Sequence, residues 1–221
     1  MTAASAIQPS PSPLKRRGLM LVLASPPGGG KTTISREIVK LDPQTVISVS
    51  ATTRDMRPGE VEAQHYYFVT PERFHQMVQD GEMLEHALVY NKSFYGTPKS
   101  PVEKALSEGR DVLFDIDWQG NRRLSDIAPD DVVSIFLLPP SWKDLESRLH
   151  FRAQDSREEI VRRLDKAQDE ISHYKEFQYV IVNNDLNESI RQVRHILEAE
   201  RTKRARLLNL ADFVGNLKPG K

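Results

Sequence analysis

Five short apolar runs recur along the chain, at residues 18–25 (GLMLVLAS), 45–50, 111–115, 132–137 and 179–182. Each is nearly continuous rather than alternating, the pattern of a strand covered on both faces in a parallel sheet. Between these runs the spacing becomes helical. Ile34, Ile38, Val39 and Leu41 give residues 31–40 one apolar face directly after the first run, so strand, glycine turn and helix open a βαβ unit. Residues 98–108 read as a helix with Pro98 at its start, a place where proline is tolerated. A short helical piece falls near 119–126, charged helical stretches at 142–150 and 156–174, and a long amphipathic helix from 186 to about 210. Strands alternating with helices predict the α/β class, with a parallel five-stranded sheet flanked by helices.

Residues 51–97 break this pattern. Polar and aromatic side chains dominate, and strand-like pieces at 65–69 and 83–89 flank a short helix at 71–80. The segment reads as a small, mainly β insertion outside the core sheet. The expected division is then a core of residues 18–50, 98–147 and 175–210, the insertion 51–97, an arginine-rich helical segment 148–174, and tails at 1–17 and 211–221. Residues 1–13 are rich in Ser, Ala and Pro and precede Lys15-Arg16-Arg17. A secretory signal has the opposite order, so the expectation here is a disordered tail.

Composition narrows the function. The 221 residues carry 31 basic and 31 acidic side chains, a formal net charge of +0. That balance argues against a nucleic-acid binder. No window offers the roughly 18 apolar residues of a membrane span. Cysteine is absent, which excludes disulfides and thiolate chemistry and suits a reducing, cytoplasmic setting.

The turn after the first strand carries the clearest chemistry. Ser25-Pro26-Pro27-Gly28-Gly29-Gly30-Lys31-Thr32 follows the phosphate-loop pattern G-x-x-x-x-G-K-[ST], with Ser25 in place of the first glycine. Glycines let backbone N–H groups close around an anion, and the following helix start adds its positive dipole end. Lys31 is expected to reach the β- and γ-phosphates of ATP, and the Thr32 hydroxyl to ligate Mg²⁺. The expected ATP-binding set is Pro26, Pro27, Gly28, Gly29, Gly30, Lys31, Thr32 and Thr33. A plain glycine turn between strand and helix is the alternative.

The insertion addresses the phosphoryl acceptor. Arg54 and Arg57 lie close together, and with the hydroxyls of Tyr66 and Tyr95 they can hold the oxygens of a phosphate monoester. Solvated surface arginines are the alternative. Guanine offers two adjacent donors, N1–H and N2–H₂, beside the acceptor O6. One carboxylate can take both donors while a hydroxyl serves O6, and Glu85 with Thr97 has that chemistry. An ordinary exposed strand residue is the other reading of Glu85.

The stretch SVSATTRDMRPGEVEAQHYYFV, followed in order by MLEHA, FYGTP and DIDWQG, resembles the guanylate kinase signature, and the resemblance runs from about residue 17 to about residue 197. It implies a P-loop kinase core with a GMP-binding insertion and a helical lid, and transfer of the γ-phosphoryl group of ATP to GMP. By this resemblance Ser50, Glu85, Thr97 and Asp117 contact the guanine base, and Arg54, Arg57, Tyr66 and Tyr95 bind the GMP phosphate. It also places Arg152 and Arg163 of the lid near the transferred phosphoryl as catalytic residues beside Lys31, and Arg148 on the adenosine side. Family members often carry Trp where this chain has His86, and the stretch between Glu85 and Tyr95 is one residue longer than their common form.

Asp115 and Asp117 close a buried-type strand, where ligands bind in open α/β sheets, and alternation points them to one face. Asp117 is the base-contact candidate, and Asp115 a candidate for ordering the Mg²⁺ shell through water. Asn183 is a further candidate near the adenine. The lid arginines Arg148, Arg152, Arg162 and Arg163 can also form a solvated basic face matched by Glu158 and Glu159. The expected partners are ATP and GMP, with no nucleic acid or membrane, and an oligomer is possible. Two rivals share the scaffold. A ribose bisphosphate phosphokinase would not need the base-reading set Ser50, Glu85, Thr97 and Asp117. A catalytically silent scaffold module typically loses the nucleotide loop, whereas Lys31, Thr32 and the lid arginines are all present here.

Overall fold

The computed structural model of the protein describes residues 14–89, 92–151 and 157–217. The chain runs β1 (Met20–Ala24), α1 (Lys31–Leu41), β2 (Thr45–Ile47), β3 (Ala51–Thr52), β4 (Tyr67–Phe68), α2 (Pro71–Gln79), β5 (Met83–Val89) and β6 (Ser93–Pro98). It continues through α3 (Lys99–Ser107), β7 (Asp111–Asp115), α4 (Trp118–Ile127), β8 (Val132–Leu138), α5 (Trp142–Phe151), α6 (Arg157–Ser172), β9 (Tyr179–Val182), α7 (Leu186–Arg201) and α8 (Leu210–Asn216).

The five apolar runs form one sheet in the order β2-β7-β1-β8-β9, with every neighbouring pair parallel. Alternation along β1 explains why the run has to be apolar throughout. Leu21 and Leu23 face Ile34 and Ile38 of α1 and Val193 and Leu197 of α7. Met20 and Val22 face Val102 and Leu106 of α3 and Leu124 of α4. Each such side chain, taken fully out of water, contributes about 1.5–3 kcal/mol. The two packed faces fix the sheet, and so fix the strand ends that carry the chemistry.

The insertion builds a second sheet, β4-β3-β6-β5. β6 was not expected, because Gly96 and Pro98 make its sequence read as a loop. Gly96 is there for close approach: a Cβ would lie 2.9 Å from the Glu85 carbonyl oxygen. The antiparallel pairing sets Glu85 opposite Thr97.

Several expected boundaries differ. α7 stops at Arg201 rather than near residue 210, with Thr202 as its C-cap, and α8 occupies part of the segment read as a C-terminal tail. Arg16 and Arg17, assigned on composition to the N-terminal tail, are tied to the core. Arg16 donates to Asp111 at 2.6 and 3.2 Å, and Arg17 donates to Asp131 at 2.7–3.0 Å. Asp111, wholly buried at the start of β7, also accepts from Arg201 Nε at 2.7 Å and the Leu19 amide at 3.0 Å. Residues 1–13 and 218–221 of the expected tails, and Arg152, lie outside the described residues. Among the described residues no helix is long and apolar enough to cross a membrane.

Candidate active site

β1 ends in a turn whose shape requires glycine at three successive positions. Gly28 and Gly30 have φ of 85° and 98°, values that L side chains rarely adopt. Gly29 is required by crowding instead, since a Cβ there would meet the Ser25 Cβ at 2.7 Å. Ser25, the departure from the phosphate-loop pattern, is accommodated without strain. Among the described residues Ala63 is the only non-glycine with positive φ, and the Ser25 hydroxyl donates to the Pro26 carbonyl at 3.0 Å.

Asn183 clamps this loop. Its buried amide donates to the Gly29 carbonyl at 2.8 Å and accepts from the Ser189 hydroxyl at 3.0 Å. Both ends of the side chain are therefore engaged by the protein. Asn183, the candidate near the adenine, also lines the cavity that holds Arg148. Arg148 donates to the Asn183 carbonyl at 3.0 Å and lines a cavity with Gly28, Gly30 and Thr33 on the outer side of the loop.

The inner side of the loop opens on a cleft of about 320 Å³, lined by Pro26, Pro27, Gly28, Gly30, Lys31 and Thr32 together with Asp115 and Asp117. Lys31 Nζ pairs with Asp115 at 2.7 Å and donates to the Ile116 carbonyl at 3.0 Å. An ammonium has three N–H groups, so one remains for an incoming phosphate. Lys166 and Glu170 of α6 complete the lining. Glu170 was not anticipated; it is buried, and burial pushes its carboxyl up from the usual carboxylate range. Arg163, expected in this cleft, instead donates to Glu159 on its own helix at 3.2 Å.

The donor set suits Mg²⁺. That ion keeps several waters and takes one or two protein oxygens beside substrate phosphates rather than a dedicated protein cage. Thr32 and Asp115 offer such oxygens at the cleft wall. Among the described residues no group of three or more His, Asp or Glu side chains could hold a metal unaided.

Thr32 and Asp115 also line a second cavity of about 540 Å³, shared with Ser50 just before the insertion, Tyr66 within it and Arg36 from α1. Arg36 escaped the sequence reading because one arginine on a helix face carries no pattern. Beyond Tyr66 stands the arginine cradle, where Arg54, Arg57 and Tyr95 line one cavity. Arg54 is occupied: its fork holds Glu60 through bonds of 2.8 and 2.6 Å, and Nε donates to the Tyr95 hydroxyl at 3.3 Å. It also lies 5.0 Å from the Tyr66 ring centroid. The Arg54 fork and the Arg57 amide hold the Glu60 carboxyl down at about 2. The Glu60 carboxylate thus occupies the fork geometry that a phosphate would use.

The base-reading candidates converge as well. Glu85 Oε1 accepts from the Thr97 hydroxyl at 2.8 Å, so Thr97 orients Glu85 rather than offering its proton outward. Burial pushes the Glu85 carboxyl up, and the charge of Asp117 adds to that shift. Asp117 caps α4, accepting from the Gly120 amide at 3.1 Å, and shares the phosphate-loop cleft.

Comparison with known proteins shows the family. The family model described as guanylate kinase matches residues 17–200. A guanylate kinase of Paramagnetospirillum magneticum is 56% identical over 94% of this chain and 96% of its own length. One from Rhodospirillum rubrum is 52% identical over 97% of this chain and 98% of its own length. The crystal structure of guanylate kinase from Anaplasma phagocytophilum superposes with a TM-score of 0.74 at 37% identity, covering 94% of this chain and 99% of that one. The chain belongs to the guanylate kinase family.

Proposed function

We infer that this chain transfers the γ-phosphoryl group of ATP to the phosphate of GMP, yielding ADP and GDP. The observation that carries the reading is continuity. Thr32 and Asp115 of the core line one cavity with Ser50 and with Tyr66 of the insertion, which supports donor and acceptor sites that open onto the same space.

In this reading Pro26 and Pro27 shape the loop while the backbone N–H groups from Gly28 to Thr33 and the Lys31 ammonium hold the ATP phosphates, and Arg148 flanks the adenosine. Arg54, Arg57, Tyr66 and Tyr95 hold the GMP phosphate, with Glu60 yielding part of the Arg54 fork. Ser50, Glu85 and Asp117 contact the base, and Thr97 acts by fixing Glu85. A carboxylate has about four lone-pair sites, so Glu85 can keep its Thr97 bond and still accept both guanine donors. Adenine would bring an acceptor against that carboxylate.

A GMP phosphate oxygen is already anionic and needs no strong general base. The chain's work is positioning and charge neutralisation, with Lys31 following the charge that develops on the transferred group. Thr32 would hold the Mg²⁺ that comes with ATP and Asp115 would act on it through water; the ion would supply neutralisation of phosphate charge. Arg152 and Arg163 close over the group as the lid moves, which requires Arg163 to exchange Glu159 for phosphate. The proposal places this work in the cytoplasm.

A coupled assay of ADP release with GMP, AMP, UMP and ribose phosphates tests the reading. GMP is expected to be used about 10⁴-fold better in kcat/KM than AMP, the scale of discrimination that hydrogen-bonded pockets reach. Equal use of AMP, or preference for a ribose phosphate, would overturn it.

A further inference from the structure

Glu85 must be ionised to accept two donors from guanine, yet it sits where ionisation is disfavoured. Its side chain is 10% exposed, and burial acts against the charged form. A protonated carboxyl would present a donor of its own and lose half its use as a double acceptor. Something nearby has to hold the charge.

The groups that face Glu85 come from four places. Thr97 on β6 donates to Oε1 at 2.8 Å. His86 is its neighbour on β5. Asp117, at the head of α4, is a like charge that opposes ionisation. Arg123, in the middle of α4, brings NH1 to 3.8 Å from Oε2. The same NH1 donates to the His86 carbonyl at 2.6 Å. That bond anchors the guanidinium to the strand carrying Glu85, so its position is set by β5 as well as by its own helix. At 3.8 Å the contact is an ion pair without a direct hydrogen bond, which leaves Oε2 free to accept from a ligand.

We propose that Arg123 is a positioning residue for guanine recognition: tethered to the His86 carbonyl beside Oε2, it keeps Glu85 ionised without occupying the lone pairs the base needs. The proposal rests on the reading of Glu85 as the guanine contact. Arg123 supplies the positive charge nearest Glu85, and it offsets both burial and Asp117. In its absence GMP binding acquires a dependence on pH, because a proton then competes with the base for the carboxylate.

The test is GMP binding by calorimetry at pH 5.5 and pH 8, for the wild-type protein, Arg123→Met and Arg123→Lys. Taking the ratio of variant to wild-type affinity at each pH removes the titration of the GMP phosphate itself, whose second pKa is about 6. Arg123→Met is expected to lose about tenfold more affinity at pH 5.5 than at pH 8, one pKa unit being a factor of ten in protonation. Arg123→Lys should recover most of that difference, and ATP affinity should stay at the wild-type value in both variants. In a Glu85→Gln background, where no proton can be taken up, Arg123→Met should show the same ratio at both pH values. A ratio in the Glu85 protein that is independent of pH would overturn the proposal, since a merely structural tether would weaken binding equally throughout. Failure of the wild-type protein to phosphorylate GMP would instead overturn the functional reading, whatever the ratio.

Discussion

Gly30 and Asn183 should be energetically coupled, and the coupling can be worked from distances. Gly30 has φ 98°, and an added Cβ would lie 2.4 Å from Asn183 Nδ2. That contact is too short to survive, so Gly30→Ala must push the amide away from the Gly29 carbonyl it now bonds at 2.8 Å. Left-handed backbone costs a non-glycine residue about 1–2 kcal/mol, and a buried amide left unsatisfied costs about 1–3 kcal/mol. Gly30→Ala alone should therefore lose about 2–5 kcal/mol by these two principles. In an Asn183→Ala background the obstructing amide is gone, and only the backbone cost of about 1–2 kcal/mol remains. Urea unfolding of the four proteins of the cycle, followed by circular dichroism, gives the coupling directly. A coupling of about 1–3 kcal/mol is expected, the double variant being less damaged than the sum of the singles. Additivity within about 0.5 kcal/mol would refute the claim that Asn183 is the clamp of this loop.

Two further outcomes follow from the ion pairs. Asp111→Ala leaves Arg16 and Arg201 without the buried carboxylate both now hold. It should cost about 3–5 kcal/mol, read as a fall in Tm of about 6–20 °C at this chain length; a fall of less than about 2 °C would remove Asp111 from the role of cluster centre. Glu60, held at about 2 by the Arg54 fork, has a depressed folded-state pKa. Its pairing therefore stabilises the fold fully above the ordinary carboxylate range and is lost as pH falls toward about 2. Carboxyl-carbon NMR titration of the ligand-free protein should find Glu60 still ionised at pH 3.5, and a midpoint at or above 4 would show that Arg54 is not held as described.

The core was legible because its signals are local. A continuous apolar run, a glycine-rich turn and a helical apolar face each occupy a few adjacent residues, and β1 with the phosphate loop and α1 lies where those signals put it. β6 was hidden because Gly96 and Pro98 are loop residues by composition and are explained only by the strand packed against them. α7 was overextended because charged residues at helical spacing continue past Arg201, while the turn that stops the helix is held by Glu200, which pairs with Arg206 across it. The contacts of Asn183 and Arg123 were not foreseen, for one reason. Their partners lie far along the chain or carry no motif: Gly29 is 154 residues from Asn183, and His86 is 37 from Arg123. Arg16 and Arg17 looked like a tail because their carboxylates, Asp111 and Asp131, lie 95 and 114 residues away.

The claim on which the rest depends is that the glycine loop and the arginine cradle serve one continuous cleft. A single molecule carrying adenosine and guanosine joined through a polyphosphate chain would have to span both. Calorimetric titration should give one such molecule bound per chain, with prior saturation abolishing the binding heat of both ATP and GMP. Retention of GMP binding by the saturated protein, or two molecules bound per chain, would contradict the single cleft.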